Sequence, residues 1–132
     1  RMIGNDYKYF KKKFYPKNSN IKISGELVNN KELIKCYDDC DIFILPSYAE
    51  AYPQVILESL SRLKPVIVFN EIKFLKKTFS VGVYSSPRNT KGLQKVINMI
   101  IFNYSKIQNR IFKQKIFTQE NFFIEMNKTF NS

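Results

Sequence analysis

Residues Asp41 to Val68 read DIFILPSYAEAYPQVILESLSRLKPVIV, and the fold follows from how this stretch divides. Ile42 to Leu45 is a short continuous apolar run rich in β-branched and aromatic residues, the pattern of a strand covered on both faces in a parallel sheet. Pro46 and Ser47 end the run, and Tyr48 to Tyr52 form a loop. Pro53 suits the first position of a helix that continues over Val55 to Leu63, with Ile56, Leu57, Leu60 and Leu63 on one side. Leu63-Lys64-Pro65 stops it, and Val66 to Phe69 form a second buried strand. The unit is βαβ, with its loop at the carboxyl end of the first strand.

Outward from this block, strands and helices keep alternating. Tyr7 to Tyr15 reads as a basic, aromatic helix stopped before Pro16, Lys17 to Asn20 as a turn and Ile21 to Ser24 as a strand. Asn29 and Glu32 make a capping pair for a helix over Asn30 to Asp41. Asn70 to Lys77 is a loop or short helix, and Val81 to Tyr84 a short strand. Asn89 or Thr90 caps a helix from Thr90 to Tyr104, with apolar residues 93, 96, 97, 100, 101 and 104 at helical spacing. This predicts an α/β fold, a doubly wound parallel sheet in one domain of 132 residues. A composition 44% hydrophobic and 15% aromatic excludes a disordered chain. No apolar run approaches the roughly 18 residues of a membrane span, and no signal peptide opens the chain.

Chemistry concentrates in the loop. In open α/β sheets ligands bind beyond the strand carboxyl ends, and free N–H groups at a helix start attract phosphate. Ala51 to Gln54 supply that helix start, although Pro53 itself has no N–H. Glu58 follows Pro53 by five residues, and helical side chains lean back toward the N-terminus, so its carboxylate can approach a ligand at the helix entrance. It can accept two hydrogen bonds from a vicinal diol such as a ribose. Glu50, in the loop, reaches a different part of the same ligand. Both have plainer readings. Glu58 shares a polar stripe with Gln54, Ser61 and Arg62 and can pair with Arg62 at i+4; Glu50 can simply compensate a helix dipole.

The spacing Glu50-x7-Glu58, preceded by Asp41-x-Phe-Ile-Leu-Pro-Ser and followed by Pro65-Val-Ile, resembles the C-terminal, nucleotide-sugar-binding domain of retaining GT-B glycosyltransferases of the glycosyltransferase group 1 family. Ile3-Gly4-Asn5 resembles the family's strand and Gly turn, Ile21 to Gly25 its strand ending in Gly, and Asn30 to Asp41 the helix leading into the block. The helix Thr90 to Tyr104 and a closing helix within residues 117–132 are similar to the family's last helices. Two positions depart from the pattern: where the family usually has Gly after the first Glu and Gly before the Pro-Val-Ile strand, this chain has Ala51 and Lys64.

The resemblance implies a Rossmann-like half of a GT-B fold that binds a nucleotide diphosphate sugar and transfers the sugar with retention. The acceptor would be a glycan or a lipid-linked glycan, as in surface polysaccharide or glycoconjugate synthesis. It makes Glu50 the catalytic residue at the transferred sugar and Glu58 the ribose ligand. Ala51, Tyr52 and Gln54 contribute to donor binding through backbone N–H groups, and Ser47, Gly25 and Gly4 line the same cleft. No metal or other cofactor is implied. The family's N-terminal acceptor domain, and the strand and loop carrying an Arg and a Lys for the diphosphate, would precede Arg1, so the chain is expected to be half of a longer enzyme and inactive alone. Two thiols in an otherwise Cys-free chain fit a reducing cytosol, and the resemblance adds the expectation of a protein peripheral to the inner face of a membrane.

A net charge of +11 invites a nucleic-acid reading. Lys, Asn, Ile, Phe and Tyr are abundant along the whole chain, however, so a solvated basic surface, an anionic membrane surface or an anionic donor is the expectation, and nucleic acid is not. Cys36 and Cys40 sit four apart on the stripe Leu33, Cys36, Tyr37, Cys40, which predicts buried inert thiols; with no His, zinc lacks its usual ligands. Two rivals stand beside the transferase. A glycoside hydrolase would use the two glutamates as acid and nucleophile, and a non-catalytic nucleotide- or nucleic-acid-binding module would use the same fold without turnover.

Overall fold

Every residue of strand β4 (Val66–Phe69) is buried, because it pairs on both edges and helices cover the sheet. On one side lies β3 (Phe43–Leu45), on the other β5 (Val83–Ser86), and both run parallel to it. The register sets Leu45 beside Val68 and Phe69 beside Ser86, so the three strands finish nearly level at their carboxyl ends. The computed structural model describes Met2–Ile3, Ile23–Ser24 and residues 30–114. It divides into two units, Arg1–Asp39 and Cys40–Ser132. In the first, β1 (Met2–Ile3) pairs in parallel with β2 (Ile23–Ser24), and helix α1 (Asn30–Asp38) follows, carrying Glu32 in its first turn and burying Tyr37. The predicted helix over Tyr7 to Tyr15, the turn at Lys17 to Asn20, Asn29 of the capping pair and the closing helix in residues 117–132 lie outside the described residues.

The second unit is built around β4. Helix α2 (Gln54–Ser61) buries Ile56, Ser59 and Leu60, the i, i+3, i+4 stripe of a helix laid on a sheet. After β4 comes a single 3-10 turn (Asn70–Ile72), then α3 (Leu75–Thr78), which buries Leu75. Beyond β5, α4 (Thr90–Phe102) and α5 (Tyr104–Lys113) insert Ile100, Ile107 and Ile111 into the core formed by Ile56, Leu60, Val66, Ile67, Val68 and Ile72. Parallel strands with flanking helices make the fold α/β, in keeping with a Rossmann-like half-fold.

Element ends differ from the sequence expectations for identifiable reasons. Pro53 is the N-cap of α2, with extended φ −74 and ψ 114, so the helix begins at Gln54. The next strand starts at Val83 because Gly82 turns into it with φ +85. A Cβ there would lie 2.6 Å from Leu60 Cδ2 and 2.8 Å from Ile111 Cγ1, so both backbone and space require glycine. The helix predicted over Thr90 to Tyr104 breaks at Asn103, which separates α4 from α5. Of its two candidate caps Asn89 serves: its side chain accepts from Gly92 N at 2.8 Å. The cysteines depart from expectation. Cys40 lies beyond the end of α1, and both free thiols are half-buried rather than buried.

The end of α2 is closed by Leu63 and Lys64, the latter standing where the family usually has Gly. The residue in the left-handed region is Leu63, at φ 59, one position earlier. Leu63 N–H donates to Leu60 O at 2.9 Å and Lys64 N–H to Ser59 O at 3.0 Å, the paired bonds of a Schellman motif. Ser59, fully buried, donates its hydroxyl to Lys64 O at 3.2 Å and ties the turn to the helix. A branched residue is therefore held where glycine is favoured. Leu63→Gly and Leu63→Ala lose nearly the same packing, but only the first relieves the backbone. Urea unfolding should find the glycine variant more stable than the alanine variant by about 1 kcal/mol; equal stability, or the reverse order, contradicts this account of the turn.

Candidate functional site

Arg88 holds the carboxyl ends of the three strands together. It emerges two residues after β5, and β3 lies two strand spacings away, about 10 Å, within reach of an extended arginine that crosses the end of β4. It does cross there. The guanidinium carbon stands 4.2 Å from the centre of the Phe69 ring, at the last residue of β4. Beyond it, Nη1 donates to Pro46 O at 3.0 Å and Nη2 to Ser47 O at 2.9 Å. Nε donates to Glu71 Oε1 at 3.1 Å, just past β4, and the guanidinium also stacks on Tyr48 at 3.8 Å. The turn that carries Arg88 is itself fixed. Ser86 Oγ and Asn89 N both donate to Pro87 O, and Gly92 leaves room for the Pro87 ring, 2.9 Å from where a Cβ would stand.

The loop so held brings together two of the predicted site residues. Ser47 Oγ donates to Glu50 Oε1 at 2.6 Å, a short, charge-assisted contact that orients the carboxylate and leaves its second oxygen to other partners. Tyr52 packs its ring on Phe79, centroids 5.2 Å apart, and anchors the entrance of α2. Ala51, Tyr52 and Gln54 are exposed at that entrance. Helix α2 has no side-chain cap and no acidic residue in its first turn. Positive φ outside glycine occurs, among the described residues, only at Leu63 and Ser80, so Ala51 keeps an ordinary backbone where the family usually has Gly. Glu58 is half-buried on the second turn of α2. Gly4 and Gly25 lie outside the described residues.

Elsewhere in this unit a groove of about 610 Å³ is lined by Asp41, Ile42, Ile101 and Tyr104. It adjoins the amino end of β3, away from the loop, and its walls are chiefly apolar; Tyr104 OH donates to Asp41 O at 2.9 Å. Ligand chemistry in this sheet type belongs to the carboxyl ends, where Arg88, Ser47 and Glu50 gather. No helix among the described residues is long and apolar enough to cross a membrane.

A family model described as glycosyl transferases group 1 matches residues 1–116. The chain belongs to the glycosyl transferases group 1. Within it, the chain is similar to the N,N'-diacetylbacillosaminyl-diphospho-undecaprenol alpha-1,3-N-acetylgalactosaminyltransferase of Campylobacter jejuni subsp. jejuni serotype O:2, being 26% identical over 73 residues. That stretch is 53% of this chain and 19% of the relative, so the chain matches under a fifth of that protein's length. No solved structure matches it. For a group 1 domain Arg88 is the residue that sequence reasoning missed. Its partners are 17 to 42 residues away in the chain, and no local pattern marks them.

Two outcomes check the clasp. Arg88→Ala should lower the unfolding free energy by about 2 kcal/mol and speed amide exchange in residues 46–50; Arg88→Lys, which keeps the charge but loses the fork, should restore less than half. Full restoration by lysine would show that charge alone matters. The second concerns pH. Arg88's hydrogen bond, then the residue's own backbone N–H, hold the Glu71 carboxyl below its ordinary 4.5. With the folded value depressed, the contribution to stability is complete above the unfolded value and is lost as pH falls through the folded one. The stability gap between the parent chain and Glu71→Gln, read by urea unfolding, should be constant from neutral pH to about pH 5 and shrink below 4.5; a gap unchanged at about pH 3 contradicts the pairing.

Proposed function

We propose that this chain is the donor-binding half of a retaining glycosyltransferase that transfers a sugar from a nucleotide diphosphate sugar to a glycan or lipid-linked acceptor. The observation that carries the reading is the Ser47–Glu50 contact of 2.6 Å, made in a loop at a strand carboxyl end inside the segment matched by the group 1 family model. Glu50 meets the transferred sugar, its carboxylate steadied by Ser47 so that one oxygen remains for a sugar hydroxyl. Glu58 accepts the ribose diol. The N–H groups of Ala51, Tyr52 and Gln54 take the diphosphate, where negative charge builds as the sugar departs, and fixed amide dipoles there assist without reorganising. Gly4 and Gly25 complete the cleft.

The relative that acts on a diphospho-undecaprenol sugar supports a lipid-linked acceptor and a role in glycoconjugate synthesis. A cytoplasmic protein in peripheral contact with an anionic membrane belongs to the same proposal. Its support is that the sequence from Ile72 to Gln119 contains Lys and Arg but no Asp or Glu. Acceptor recognition is assigned to an N-terminal domain of the longer enzyme.

Calorimetric titration separates the two glutamates. Against UDP-, GDP- and ADP-sugars, Glu58→Ala should weaken binding of the preferred nucleotide sugar and of its free nucleoside diphosphate alike, by about tenfold to a hundredfold. Glu50→Ala should weaken the nucleotide sugar only. Unchanged binding on losing Glu58 removes the ribose assignment.

A further inference from the structure

The loop held by Arg88 also displays an aromatic ring in an unusual condition. Tyr48 is 70% exposed, yet one face of its ring is covered by the guanidinium at 3.8 Å. That guanidinium cannot swing away without giving up Pro46 O, Ser47 O and Glu71. An exposed tyrosine ordinarily samples several rotamers and loses that freedom on meeting a ligand. Here the loss has been incurred on folding. The arrangement differs from that of Tyr52, whose ring is engaged by Phe79, and of Phe69, which is buried under the same arginine.

We propose that the open face of Tyr48 is a stacking platform for a pyranose ring, a carbohydrate subsite beside Glu50. A sugar presents one face of C–H bonds with little polar character. A flat aromatic surface removes that face from water, while the hydroxyls at the ring edge remain free for hydrogen bonding. Tyr48 stands in sequence between Ser47 and Glu50, whose side chains meet at 2.6 Å, so platform and carboxylate belong to one rigid loop. A nucleobase is the less suitable occupant, because in the proposed reading the nucleoside is held on the Glu58 side of the helix entrance.

The inference rests on the proposed donor site, and one experiment separates the two. The chain and its Tyr48→Ala and Tyr48→Phe variants are titrated with UDP, GDP and ADP and with UDP-N-acetylgalactosamine, GDP-mannose and ADP-glucose, following sugar C–H protons by NMR. For whichever nucleotide binds, Tyr48→Ala should reduce affinity for the nucleotide sugar about fivefold and leave the nucleoside diphosphate unaffected. Tyr48→Phe should retain both affinities, and sugar protons should shift upfield only when an aromatic ring is present at 48. If Tyr48→Ala weakens both ligands equally, or neither, the platform is overturned and the donor site stands. If the parent chain binds none of the six, both fall.

Discussion

The arginine that crosses the end of the middle strand is the constraint from which the candidate site follows. Parallel strands in register leave three chain ends side by side, each followed by a turn that must be held. A single planar cation from the third turn satisfies two carbonyls of the first and a carboxylate of the second. Lysine, with a point charge on a flexible stem, has no equivalent fork. The consequence is a loop of defined shape ahead of α2, in which Ser47 reaches Glu50.

The same commitment bears on electrostatics. Among the described residues, every polar contact made by the Arg88 side chain is to Pro46, Ser47 or Glu71, and its faces are taken by Phe69 and Tyr48. These contacts make it a positioning residue for the loop. In the proposed reaction the anionic leaving group is met by the amides at the start of α2.

Much of the fold was legible because it is written in local periodicity. Val66 to Phe69 was read to the residue, since four successive apolar residues between Pro65 and Asn70 admit only a fully covered strand. Boundaries moved where backbone conformation overrode hydrophobicity: Leu63 is apolar and fits the helical stripe, yet turns left-handed, and Gly82 delays β5 by two residues from the expected Val81. Helix α5 was missed although Tyr104, Ile107 and Ile111 carry a helical spacing, because the aromatic and basic residues around them mask the stripe. The glutamates were singled out through family spacing, and of the two Glu50 stands in the loop with Ser47. Arg88 was not, because side-chain contacts across 42 residues depend on strand order and register, which no window of sequence contains.

The most direct measurement is the structure of the chain with a nucleotide sugar bound. The account predicts the ribose hydroxyls within hydrogen-bonding distance of Glu58, the diphosphate at the amides of Ala51, Tyr52 and Gln54, the sugar against Glu50, and Arg88 still on Pro46 O and Ser47 O. A nucleotide seated at the amino ends of the strands, or an Arg88 that leaves the loop to bind the diphosphate, would contradict it.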